Sequence, residues 1–238
     1  GTTALIRPIE LKSATLRREM PALLAVSLLT VALFLDSVLT RVDGFVLLIA
    51  LIIVIIWLVR LGLRSSASDP MQADFEAEIP KDMKTGMAAI WLVVGLGSLL
   101  VGADLLVDGA IDIARAAGVS EVVIGVTLVA LATSLPELAV SAVSALRGEY
   151  GLAIGNIVGS NIFNLLAVIG VAAAIQPATM PPSVLSLHIF VMVAFTLVLF
   201  AMTYEYDGRG AISRFEGFML VVAYLAFSTY VVLQNVRI

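Results

Sequence analysis

Residues 125–148 read GVTLVALATSLPELAVSAVSALRG, an apolar stretch long enough to cross a bilayer with polar residues set through its middle. Thr127, Ala130, Ser134, Glu137, Ser141 and Ser144 are spaced 3, 4, 3, 4 and 3 apart, which places them on one helical face. Pro136 predicts a break in the helix, because proline offers no N–H to the carbonyl one turn earlier, near Ala132 and Thr133. In hydrocarbon such carbonyls persist only where a cavity, a water or an ion satisfies them. Glu137 is the most informative residue, since an ionised side chain at mid-membrane costs about 3 kcal/mol on insertion scales. It reads either as a protonated carboxyl bonded to a neighbouring helix or as a cation or proton ligand. The hydroxyls stacked on its face favour the second reading.

The next apolar stretch, 151–170, reads GLAIGNIVGSNIFNLLAVIG and carries two stripes. Gly151, Gly155 and Gly159 recur every fourth residue and predict close packing of another helix. Asn156, Ser160 and Asn164 recur at the same spacing on the adjacent face, as interhelical glue or as ion ligands. Every donor in this set is a hard oxygen: carboxylate, hydroxyl, amide or backbone carbonyl. That chemistry suits Na⁺, or Ca²⁺ with its 6–8 oxygens at about 2.3–2.6 Å, and does not suit zinc or copper. One carboxylate against a divalent ion leaves the site short of negative charge. A second carboxylate is expected from elsewhere.

The surrounding composition agrees with a chain that lives in lipid. Of 238 residues, 61% are hydrophobic and 13% charged, well beyond what a water-soluble domain carries. A net charge of −4 offers no basic face for nucleic acid, and without cysteine there is no disulfide framework and no thiolate metal site. Seven apolar runs are expected to span: roughly 20–39, 44–61, 87–114, 121–146, 150–175, 184–203 and 215–234. The fold class is therefore an all-α polytopic membrane protein with the lipid bilayer as its first partner. Numbering the loops alternately puts eleven basic residues, Arg7, Arg60 and Arg147 among them, on one side. Only Arg41, Arg115 and Arg237 fall on the other. By the positive-inside rule the N-terminus of the chain and the 62–86 loop are expected to be cytoplasmic, and the C-terminus periplasmic or extracellular.

The chain also repeats itself. At a shift of 169 residues Gly1, Ala4, Ile6 and Pro8 meet Gly170, Ala173, Ile175 and Pro177, and Asp36 meets Glu205. After four inserted residues, Arg41-Val-Asp-Gly-Phe45 lies over Arg214-Phe-Glu-Gly-Phe218. Spans one and two thus read as a copy, of opposite topology, of spans six and seven, as in transporters built from inverted repeats. The organisation expected is 1–61 as the last two helices of a first inverted half, 62–86 as a cytoplasmic linker, and 87–238 as the second half. Spans three to five have no partner in the chain, so about 83 further residues, the equivalent of 87–169, are expected to precede Gly1. On this reading the chain is the C-terminal part of a ten-helix antiporter.

Thr133-Ser-Leu-Pro-Glu137, followed by Gly155-Asn-x-x-Gly-Ser-Asn-x-Phe-Asn164, resembles the second α-repeat of the sodium/calcium exchanger branch of the cation/Ca²⁺ antiporter superfamily. The likeness places the α-repeat motif at 121–175 and covers spans six and seven in layout. It implies a bacterial inner-membrane antiporter, not an enzyme, exchanging Na⁺ for Ca²⁺ by alternating access without a cofactor. Carried over by position, it implies Glu137 as the calcium carboxylate and Ser134 and Thr133 as hydroxyl and carbonyl donors. Ala130 would give a carbonyl, Ser160 a sodium ligand and Asn164 a central amide. Asn164 stands where some members carry aspartate, which leaves the charge of the site and its competition with protons open. The likeness also implies that the helix over Gly86 to about Gly118 slides past the site, with Gly95, Gly97, Ser98, Gly102 and Ala103 permitting the motion. Two alternatives stay open: an H⁺/Ca²⁺ exchanger, and a non-transporting chain that pairs as an antiparallel homodimer so that two copies of Glu137 complete one site. An intramembrane hydrolase is disfavoured, because there is no HExxH motif and no histidine near Ser134. Asp104, Asp108 and Asp112 read as a solvated helix end or a cation-attracting vestibule, and the single histidine, His188, as an interfacial residue.

Overall fold

The computed structural model describes residues 1–11, 16–64, 83–119, 124, 130–180, 184–203 and 210–236. Among the described residues four helical stretches are long and apolar enough to cross a membrane: Arg41–Leu63, Thr85–Ala116, Tyr150–Ile175 and Arg214–Gln234. Two shorter apolar helices, Glu19–Phe34 and Leu187–Thr203, lie where the first and sixth spans are expected. Among the described residues the fourth expected span is helical on both sides of an interruption at Ser134. Thr127 and most of the 62–86 loop lie outside the described residues.

The chain divides into two compact units. The first comprises Gly1–Pro8, Ala77–Arg147 and Ser213–Ile238. It holds α1 (Thr2–Ile6), α4 (Thr85–Ala116), α5 (Ala130–Thr133), α6 (Leu135–Arg147) and α10 (Arg214–Val236). Within it α1 packs on both α6 and α10, and α4 packs on α5 and α6. None of the residues of α4 is buried, and Leu92 and Val93 are 70% and 69% exposed. A helix this apolar and this open is stable against lipid, not water. Glycines with positive φ terminate α4 and α6, at Gly118 (78°) and Gly148 (87°).

The second unit comprises Ile9–Glu76 and Gly148–Ile212. It holds β1 (Ile9–Leu11), α2 (Leu16–Phe34), β2 (Val38–Leu39) and α3 (Arg41–Arg64). These are joined by α7 (Tyr150–Phe163), α8 (Ile169–Ile175), β3 (Ala178–Thr179), α9 (Phe190–Thr203) and β4 (Gly210–Ile212). A π-helical turn, Asn164–Val168, joins α7 to α8, and another, Val184–Ile189, precedes α9. Helix α2 packs on α7 and α9, and α3 packs on α8. Two short antiparallel ribbons complete the unit: Ile9 pairs with Ile212, and Val38 with Thr179. Phe34, Leu39 and Ala173 form a buried cluster with Ile169, Met180 and Ile189 against it. His188 is half-buried inside the second π-helical turn.

The segments that match at the 169-residue shift make the same contacts, each within its own unit. A Cβ on Gly44 would meet the backbone of Ala174 and Gly170 at 2.5 and 2.7 Å. A Cβ on Gly217 would meet the Gly1 carbonyl and the Leu5 amide at 2.9 and 3.2 Å. Both glycines let a long helix touch a short one backbone to backbone. Each long helix also starts with a capping box. The Thr40 N–H and hydroxyl donate to Asp43 Oδ2 at 2.8 and 2.6 Å, and Ser213 does the same to Glu216 Oε2 at 2.7 Å for both. The short helices end alike: Arg7 and Gln176 are both extended, as residues preceding Pro8 and Pro177 should be.

These contacts predict that Gly44→Ala and Gly217→Ala each destabilise the protein by about 1–3 kcal/mol through overpacking. Gly62→Ala, with nothing within 4 Å of the added methyl, should be neutral. Thermal unfolding in detergent, followed for the three variants side by side, checks this.

Candidate functional site

Within the first unit the polar stretch forms around a helix break. Helix α5 ends at Thr133, Ser134 forms the turn, and α6 restarts at Leu135. The Ser134 N–H donates to the Leu131 carbonyl at 3.1 Å, and the Leu138 N–H to the Ser134 carbonyl at 3.0 Å. The tightened turn and the absent N–H of Pro136 account for the interruption. Glu137 falls in the first turn of α6. There the positive end of the helix dipole and the leading N–H groups favour a carboxylate, which offsets part of the cost of placing one in an apolar span. Glu137 is half-buried, with its Oε2 atom buried, while Thr133 and Ser134 are exposed beside the break. Further along α6, Ser141, Ser144 and Ala145 are buried. Ala130 opens α5, and its side chain lies outside the described residues.

Within the second unit Ser160 and Asn164 lie one turn apart at the end of α7. The Ser160 hydroxyl and the Asn161 amide both donate to the Ile157 carbonyl, at 3.1 and 2.8 Å. Having donated its proton to the backbone, Ser160 Oγ keeps lone pairs for a cation. Asn164 is exposed and opens the π-helical turn, where the Ile169 N–H reaches back to the Asn164 carbonyl. Such turns are rare and concentrate at functional positions. It leaves no sign in the sequence, because each flanking helix keeps its own side-chain periodicity. The glycine stripe needs one correction: a Cβ on Gly159 would meet nothing within 4 Å, so among the described residues this glycine packs no helix.

Of the remaining acidic groups singled out in the sequence, Asp36 and Asp43 lie beside helix ends and three aspartates lie along α4. Asp36 accepts the Val38 N–H at 3.0 Å, and Asp43 belongs to the cap of α3. Asp104, Asp108 and Asp112 are all exposed along α4. Among the described residues no three histidine or acidic side chains converge.

The profile of the sodium/calcium exchanger protein family matches residues 87–233, which contain the break, Glu137 and the π-helical turn. The chain belongs to this family. CaxA of Alkalimonas amylolytica, an antiporter by name, is 40% identical over 227 residues, 95% of this chain and 71% of that protein. The inner membrane protein YrbG of Escherichia coli is 34% identical over 200 residues, 83% of this chain and 62% of its own length. The solved sodium/calcium exchanger from Methanococcus jannaschii superposes with a TM-score of 0.74 at 31% identity, covering 94% of this chain and 68% of that one. The chain is thus a multi-pass membrane protein of an exchanger family, not an enzyme.

If the break is what the site needs, restoring its missing donor should damage function without damaging the fold. Pro136→Ala is expected to leave the unfolding temperature unchanged or raised, and to lower cation uptake about tenfold. Paired thermal and uptake measurements on one preparation test both halves of that expectation.

Proposed function

We propose that the chain carries one half of the ion site of an antiporter that exchanges Na⁺ for Ca²⁺. The observation that carries this reading is Glu137 in the first turn of a helix that restarts inside an apolar span, within the stretch matched by the exchanger family. Ca²⁺ and Na⁺ are substrates here. Glu137 is the carboxylate ligand; Thr133, Ser134 and the Ala130 carbonyl supply neutral oxygens from the break. Ser160 serves Na⁺, and Asn164 supplies an amide oxygen. Exchange follows from competition: the two ions share the same carboxylate, so binding one expels the other, and an empty charged site resists reorientation.

The matched glycine contacts and capping boxes support reading 1–61 and 87–238 as parts of two inverted halves, with the 62–86 loop cytoplasmic and the C-terminus on the far side. On that reading α4 is the helix that slides as the site changes its opening. The open space around Gly95, Gly97 and Gly102 is compatible with such motion. The protein would work in a bacterial inner membrane together with the helices that supply the second carboxylate.

The test is ⁴⁵Ca²⁺ uptake into Na⁺-loaded proteoliposomes of the complete protein. Uptake should collapse when the Na⁺ gradient is removed. Glu137→Gln should reduce it about 100-fold, some 2.8 kcal/mol at 1.4 kcal/mol per tenfold. Ser134→Ala and Ser160→Ala should each raise the half-saturating concentration of their ion about threefold to tenfold, the loss expected for one neutral ligand. Uptake that follows a pH gradient and ignores Na⁺ would instead identify a proton-coupled exchanger. No uptake under either gradient would refute the transport reading.

A further inference from the structure

The helix that carries Glu137 is held at its far end by a residue from another part of the chain. Arg7, just past the end of α1, donates from Nη1 to the carbonyl oxygen of Leu146 at 2.7 Å. Leu146 lies in the last turn of α6, where backbone carbonyls have no intrahelical donor and the dipole presents its negative end. A guanidinium there satisfies a carbonyl and matches that charge.

Two features make this contact more than a surface hydrogen bond. First, its base is fixed. Thr3 and Ala4 of α1 are buried, and α1 lies so close to Gly217 of α10 that a single methyl would not fit. Second, its target is a lever. The break at Ser134 separates α6 from α5, so α6 is a rod of 13 residues whose helical continuity stops short of Glu137's upstream side. Leu146 and Glu137 stand about 14 Å apart along that rod, at 1.5 Å per residue. A tilt of about 10° at the held end moves the carboxylate by about 2.4 Å, comparable to a whole Ca²⁺–oxygen distance. The contact is also an addition to the duplicated scaffold. At the equivalent place after α8 stands Gln176, which carries no charge.

We propose that Arg7 is a positioning residue that sets the tilt of α6 and so the place of Glu137 in the ion site. The inference about Ca²⁺ rests on the transport reading above; the inference about α6 does not.

These 238 residues contain no cysteine, so the test runs in the complete protein with any cysteine elsewhere in it replaced by serine. A single cysteine is placed at Ser134, beside the break, or at Leu35, an exposed control in the other unit. Labelling by a water-soluble maleimide is timed with Arg7 intact, as Arg7→Gln and as Arg7→Lys. Arg7→Gln should change the rate at position 134 at least threefold and leave position 35 within a factor of 1.5, and Arg7→Lys should recover most of the difference. In Na⁺-driven uptake, Arg7→Gln should raise the half-saturating Ca²⁺ at least threefold while the maximal rate stays within twofold. Equal changes at both cysteines would mean general loosening and overturn the proposal, as would no change at position 134. A lower maximal rate with unchanged Ca²⁺ affinity would also overturn it. If the parent protein transports no Ca²⁺ at all while the labelling difference holds, the transport reading fails and Arg7's hold on α6 stands.

Discussion

A carboxylate in hydrocarbon is the constraint around which this molecule is arranged. Glu137 cannot sit in an unbroken apolar helix without a compensating interaction, because every backbone dipole there is already engaged with its own turn. Ending one helix at Thr133 and starting another at Leu135 changes that balance. The new N-terminus presents N–H groups and a positive dipole end to the carboxylate, and the old C-terminus presents carbonyls beside it. Anion and cation ligands are thereby created by one turn of chain. The cost is mechanical, since two helical segments joined by a turn hold their alignment less well than one continuous helix.

The rest of the scaffold answers that cost with close backbone contacts. In lipid no hydrophobic force draws apolar helices together, so association depends on how near their backbones approach. Gly44 against α8 and Gly217 against α1 bring a long helix within less than a methyl of a short one. The capping boxes at Thr40 and Ser213 fix where each long helix begins, and hence which glycine meets its partner. The short helix α1 can then bear on α6 from a firm base.

Much of this was legible in the sequence, for identifiable reasons. The polar stripe through 127–144, the proline at 136 and the matched Arg-x-Asp/Glu-Gly-Phe segments each leave a periodic or positional trace, and the helix break and the paired caps follow from them. Expected span lengths were less faithful. The first run continues apolar to 39, yet regular helix stops at Phe34, because hydropathy does not register that Val38 and Leu39 leave the helix to pair as a strand. Gly159 misled for a related reason: a glycine every fourth residue permits close packing but does not supply the partner. The π-helical turn at Asn164 and the bond from Arg7 to Leu146 were invisible. One changes only hydrogen-bond register, and the other joins residues 139 positions apart.

Charge sets a last condition on the proposed ligand set. Glu137 with hydroxyls, amides and carbonyls carries one negative charge, which balances a bound Na⁺ and leaves Ca²⁺ with an excess of +1. In a medium of low dielectric that excess is far more costly than any single neutral ligand can offset. Neutral oxygens therefore decide which ions fit, while the count of carboxylates decides which can be carried. On that proposed set, with Asn164 in place of an acid, these residues would by themselves match a monovalent ion. Divalent occupancy requires a second carboxylate brought to Glu137 by other helices, and the ion's charge then becomes the force that holds the two halves of the site together.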